Sequence, residues 1–179
     1  MSVKKEASER RSVQVEAPGS TQSAVARRSA EAELRTLVAK FAPAHLRLVG
    51  AMRRSLRKRL PTAYEVVYEY RNQGAVVISV SPNEHGYEGA LAIRADADGV
   101  RLYFNRSKEL PDPAKLLQGS GNQMRSVDVE GASTLARPEV ARLIDDAIAR
   151  NPVPFARGGR GSVVIRSTSA KKPRRRRPA

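Results

Sequence analysis

The sequence predicts an α+β domain: a mainly antiparallel five-stranded sheet with helices packed on it, in the order α–α–β–β–β–β–β–α. Four observations carry this. Leu46, Val49, Met52, Leu56 and Leu60 form a stripe of helical period between Pro43 and Pro61. Five short runs of strand character follow. The turns Arg71–Gly74 and Asp96–Gly99 are too short for anything but antiparallel neighbours, since parallel strands need long crossovers. A second helical stripe, Val140, Leu143, Ile144, Ala147 and Ile148, closes the series.

In order, residues 1–22 are polar and of mixed charge. They offer too little apolar surface to offset chain entropy and read as a disordered N-terminal tail. A single domain is expected over 23–151. Its first helix runs from Ser23 to Phe41, with Leu34, Leu37, Val38 and Phe41 in helical register. The second runs from Ala44 to Leu60 and stops at Pro61, because the residue before a proline avoids the helical region. The strands are Tyr64–Tyr70, Ala75–Ser81, Ala90–Arg94, Val100–Phe104 and Met124–Val129, with a brief helix over Ala114–Gln118 before the last. In the first strand, alternation puts Tyr64, Val66, Tyr68 and Tyr70 on one face and Glu65, Val67 and Glu69 on the other. The tyrosine face reads as core with hydroxyls at its rim, or else as the lining of a pocket with Tyr87 and Tyr103. The final helix spans Pro138–Arg150. Residues 152–179 read as a basic, mostly disordered tail, in which Ser162–Ile165 is apolar enough for a short edge strand.

The chain has 179 residues and no cysteine, which excludes disulfides, thiolate metal sites and cysteine nucleophiles. It has no apolar run long enough to span a bilayer, and its N-terminus lacks the apolar core of a secretory signal. A cytoplasmic location is therefore expected, with no membrane partner. The net charge of +15 is unevenly placed: 43–62 holds six Lys/Arg and 151–179 holds nine, neither stretch has an acid, and the rest balances at 18 of each sign. The basic character belongs to one helix and one tail.

Taken together, LPTAYEVVYEY at 60–70, VISVSP at 77–82, LPDP at 110–113, GSGNQMRSV at 119–127 and Arg137-Pro-Glu-Val with its helix resemble the YdhG-like family, domain of unknown function 1801, over roughly residues 35–150. The resemblance implies a small α+β domain with no established activity, and iron handling of the frataxin-like kind in some relatives. This chain reads Gly-Ser-Gly-Asn-Gln where better-known members carry a Lys-Gly-containing turn.

Candidate chemistry falls in three places. Gly119, Ser120, Gly121 and Asn122, with Arg125 and Lys108, make a candidate anion or ligand loop, because a Gly-rich loop turns backbone N–H groups towards an anion. No Lys-Ser/Thr follows, so it is not a Walker motif; the plain alternative is a helix C-cap and tight turn. Glu84, His85 and Glu88, near Glu65 and Glu69, form an oxygen-rich set with one imidazole that suits iron, or else a solvated loop beside an exposed strand face. Arg47, Arg54 and Lys58 on the second helix, and Lys171, Lys172, Arg174, Arg175, Arg176 and Arg177 in the tail, are candidate nucleic-acid contacts. His45 and His85 are the only histidines, and no Gly-x-Ser-x-Gly elbow occurs, so no catalytic residues and no enzyme activity are expected. The first reading is a non-catalytic binding module for a small ligand or partner, needing no cofactor. The alternatives are a sequence-independent nucleic-acid-associated protein and an iron-binding or iron-delivering one.

Overall fold

The computed structural model describes residues 22–167. Helix α1 spans Ala24–Val38, and the Ser23 hydroxyl caps it by accepting from the Ala26 N–H at 3.2 Å. Helix α2 spans Pro43–Arg59, with Pro43 in its first turn, where the missing N–H costs nothing. Then follow β1 (Tyr64–Tyr70), β2 (Ala75–Ser81), β3 (Leu91–Asp96), β4 (Gly99–Asn105), β5 (Met124–Asp128), α3 (Pro138–Ala149) and β6 (Val163–Ser167). Gly74 adopts φ 57, the left-handed conformation that closes the β1–β2 hairpin.

Strands β1 to β5 form an antiparallel meander, and β6 joins β1 in parallel, giving the sheet order β5-β4-β3-β2-β1-β6. The five expected strands thus pair antiparallel, and the edge strand read at Ser162–Ile165 joins them as β6, which makes the sheet six-stranded and mixed. The stretch 152–167, expected as tail, belongs to the fold. The run Val163-Val164-Ile165 supplies β-branched strand residues, and the chain between β5 and β6, which includes α3, passes from one edge of the sheet to the other. Gln22, expected in the N-terminal tail, is also tied in: its side-chain amide donates to the Val163 carbonyl at 2.7 Å and accepts from the Val163 N–H at 3.1 Å. The tails expected over 1–21 and 168–179 lie outside the described residues.

All three helices cover one sheet face. α1 packs beside β6, while α2 and α3 lie over β3 and β4. Leu34, Val38, Met52, Leu56, Leu143 and Ile144 from the helices meet Val67, Ile78, Leu91, Ile93, Leu102 and Phe104 from the sheet, all deeply buried. No helix of the described residues is long and apolar enough to cross a membrane.

The brief helix expected over Ala114–Gln118 does not form. The Asp112 carboxylate accepts from the N–H groups of Leu116 and Leu117 at 2.9 and 2.8 Å, Lys115 turns to φ 53, and Gln118 pairs with Ser126. The left-handed conformation of Lys115 breaks the helical course, and the Asp112 carboxylate holds the resulting turn.

The link into β6 passes under tight backbone contact. Gly161 donates to the Pro61 carbonyl at 2.8 Å, and a Cβ on Gly161 would overlap the Ala63 carbonyl oxygen, a backbone atom that cannot swing away. Gly158 has open space around it. Gly161→Ala should lower the melting temperature by about 5 °C or more, whereas Gly158→Ala should leave it within about 2 °C. Thermal denaturation followed by circular dichroism measures both.

Candidate functional site

The register of the sheet sorts its residues into two faces. Tyr68 stands opposite Val77 on one side and Arg166 on the other, and the row continues through Arg94 and Arg101 to Asp128. The next row holds Val66, Ser79, Ala92, Tyr103 and Ser126. Tyr64 and Tyr70 share this face. It is the face without helices. The expectation that the tyrosines form the core is therefore reversed: Glu65 and Val67 point under the helices, and Tyr64, Tyr68, Tyr70 and Tyr103 stand half-buried on the open side.

A cavity of about 660 Å³ lies on this open face. Its floor is Val77, Ser79 and Ala92, all small enough to leave depth between flanking tyrosines. One wall is the short 3-10 turn Gly86–Glu88 with Gly89. Two glycines let this wall lie directly on the sheet. A Cβ on Gly86 would overlap the Tyr68 ring and hydroxyl, and one on Gly89 would overlap Ser79 Oγ. The Ser79 hydroxyl donates to the Gly86 carbonyl at 2.5 Å, and Asn105 Nδ2 donates to the Gly89 carbonyl at 2.5 Å. The wall so pinned presents Tyr87, which is 79% exposed and sits 5.6 Å from the His85 ring. The opposite wall holds Arg106, Gln123 and Met124. Arg106 takes φ 54, unusual for a residue with a side chain, and it is exposed with no acidic partner among the described residues. Tyr68, Tyr70 and Tyr87 line the cavity, as the alternative reading of the tyrosine face expected, while Tyr64 and Tyr103 do not; Arg106 is the lining residue that strand alternation does not point to.

The other face of β1 carries the electrostatics. Glu65 is 4% exposed, under α1 and α2. Arg53 on α2 donates to it through Nε and Nη2, at 3.1 and 2.6 Å, and to Glu31 on α1 through Nη1 and Nη2, at 2.9 and 3.0 Å. Arg57 bonds the same two carboxylates. Burial alone would push the Glu31 carboxyl up, but hydrogen bonds from Arg53 and Arg57, with their charges, outweigh it and hold the group down at about 2. Glu69, one turn of the pleat further on, is bonded by Lys40 at 2.6 Å and Arg71 at 2.9 Å.

The six cations of α2 thus divide. Arg53 and Arg57 complete the buried cluster, and Arg59 pairs with Asp145 of α3 at 2.5 Å. Arg47, Arg54 and Lys58, the three expected to contact nucleic acid, are exposed and have no acidic partner among the described residues. Arg47 and Arg54 also line a cavity of about 580 Å³ with His45 and Leu48. The remaining expected contacts, Lys171, Lys172 and Arg174 to Arg177, lie outside the described residues.

Glu84, His85 and Glu88 do not converge. Glu84 faces Arg166 at 3.4 Å, Glu88 accepts from Asn83 in its own loop, and Glu65 and Glu69 are on the opposite sheet face with arginine and lysine partners. Among the described residues, no group of three His, Cys, Asp or Glu side chains is placed to hold a metal ion. The Gly-rich loop folds back as a hairpin end. Gln118 and Ser126 exchange hydrogen bonds at 2.7 and 3.0 Å, and Gly119 takes φ 107. A Cβ on Gly121 would press on the Met124 carbonyl oxygen. Arg125 Nε donates to the Gly121 carbonyl at 3.2 Å, so its guanidinium is engaged with the loop's own backbone. Lys108 stands apart on the turn Ser107–Glu109. Neither Ser120 nor Asn122 makes a described side-chain bond that would aim the loop at an anion.

The buried cluster sets an acid limit on stability. A carboxyl held below its unfolded value stabilises the fold above that unfolded value and loses the contribution as pH falls through the folded one. For Glu31 the window runs from about 4.5 down to about 2. The melting-temperature difference between wild type and Glu31→Gln should be full at pH 6 and should shrink across that window, a trend read from thermal melts at a series of pH values. No family model, no curated protein and no solved structure matches the chain, so the chemistry of these surfaces carries the functional reading.

Proposed function

We propose that the chain is a YdhG-like domain that acts as a non-catalytic binding module, holding a small ligand in the tyrosine-lined cavity of the open sheet face. The observation that carries this is the cavity itself. Its volume of about 660 Å³ falls in the range of small-molecule sites, roughly 300–1,000 Å³. It is built on the strands of the sheet, and its lining mixes apolar and aromatic side chains with polar groups (Ser79, Asn105, Gln123, Asn151) and two charged ones, Glu88 and Arg106. Tyr87 supports the reading, because its ring stands 79% exposed at the cavity wall, where a planar ligand can stack on it. The lining hydroxyl of Ser79 is committed to the Gly86 carbonyl, which suits a binding role better than a nucleophilic one.

A second reading, sequence-independent nucleic-acid association, rests on a different observation. Of the α2 cations, Arg47, Arg54 and Lys58 remain exposed and unpaired among the described residues after the others have been neutralised. With the basic residues of 168–179, they favour phosphate contacts and counterion release. The iron alternative has no such observation behind it.

Both are testable. Titration of neutral planar fragments, benzamide among them, should shift the ring resonances of Tyr68 and Tyr87 in the wild type. Val77→Phe, which fills the floor with a residue suited to a strand, should abolish those shifts at an unchanged melting temperature. Unmoved tyrosine resonances across the fragment set would remove the cavity reading. For the second, the triple variant Arg47→Glu, Arg54→Glu, Lys58→Glu should reduce the slope of log K against log salt on duplex DNA by about 2–3. Intact protein that shows no salt-sensitive retention would remove it.

A further inference from the structure

We propose that the open-face cavity takes a nucleotide unit, with the planar base against Tyr87 and Tyr68 and the phosphate on Arg106. This rests on the preceding reading that the cavity holds a ligand, and it names the ligand's chemistry.

The five tyrosines of the chain are all on this face or its rim, on strands (Tyr64, Tyr68, Tyr70, Tyr103) or on the wall beside them (Tyr87). A rigid sheet that displays aromatic rings is a stacking platform for bases, and stacking tolerates any base because each has a flat face. The low floor of Val77, Ser79 and Ala92 leaves depth beside Tyr68, and Tyr87 stands exposed on the wall that rests against Tyr68. The charge requirement is met across the cavity. Arg106 is the cation of the lining, it is exposed without an acidic partner among the described residues, and a guanidinium matches the oxygens of a phosphate in geometry as well as sign. Glu88, the acid of the lining, is bonded to Asn83 within its own loop. The cavity's size leaves room for base, sugar and phosphate together.

The same chemistry comes from a free nucleotide or from one unit of a single strand. The experiment uses the full chain with three probes: adenosine, AMP and an octamer of adenylate, each followed by the ring resonances of Tyr68 and Tyr87. AMP should bind about tenfold more tightly than adenosine, reflecting one charge-assisted contact. Arg106→Gly, which suits the left-handed backbone and so keeps the fold, should erase that difference while leaving adenosine binding in place. Tyr87→Ala should weaken both. An octamer tenfold or more tighter than AMP assigns the site to single strands; equal affinities assign it to free nucleotides. Equal binding of AMP and adenosine by the wild type overturns the proposal, as does binding that Arg106→Gly leaves unchanged. If benzamide or another neutral fragment moves these rings and no nucleotide probe does, the cavity reading stands and the nucleotide assignment falls. If nothing moves them, both fall.

Discussion

A carboxylate buried beneath two helices governs how this fold is arranged. The alternation of β1 offers two choices: its tyrosines face the helices, or Glu65, Val67 and Glu69 do. Taking a carboxylate out of water costs several kcal/mol even after the protein relaxes, so the second choice stands only with cations in place. Arg53 and Arg57, one turn apart on α2, provide them, and Glu31 on α1 balances the excess positive charge. Two helices and a strand are thereby fixed to one another. Removing Arg53 alone would leave buried acids short of partners, which is far more damaging than never having had the cluster.

The open face follows from that choice. With Glu65 and Val67 turned inward, Tyr64, Tyr68 and Tyr70 turn outward by the period of the strand. Small residues at Ala75, Val77, Ser79 and Ala92 keep the centre of the face low, and the glycines at 86 and 89 allow a loop to lie flat upon it. The cavity is thus the outer consequence of an inner ion cluster. The unpaired cations of α2 follow from the same arrangement, because once Arg53, Arg57 and Arg59 are engaged, Arg47, Arg54 and Lys58 are left without an acidic partner among the described residues.

Much of the architecture is legible in the residues. Helical stripes and prolines mark α2 and α3, and the short turns at 71–74 and 96–99 dictate antiparallel pairing. The division of α2 into a solvent face with Arg47, Arg54 and Lys58 also follows from period alone. What was not legible depended on long-range contacts. Alternation separates the two faces of β1 but does not say which is inside; apolarity favours the tyrosines, and the answer lies in Arg53, 12 residues away on another element. The short edge strand read at Ser162–Ile165 forms as β6, but its parallel pairing with β1 is set by the open edge of that strand rather than by local pattern. The helix expected at 114–118 gave way to a turn in which Lys115 is left-handed and Gln118 pairs with Ser126 across the sheet edge, a contact that the local sequence does not announce.

The pairing that closes the sheet has a kinetic side. β6 lies against β1 in parallel, and its outer edge is held by Gln22, 141 residues away in sequence. The meander β1–β5 needs only neighbouring segments, so its hairpins close quickly, while the β6 edge requires a chain reversal across the full width of the sheet. During synthesis, β1 therefore waits with an unpaired edge until nearly all of the described residues have been made. An unpaired strand edge is a template for pairing with another chain. The last strand acts as a closing clasp, and the interval before it docks is when nascent copies of this protein are most exposed to associating with one another.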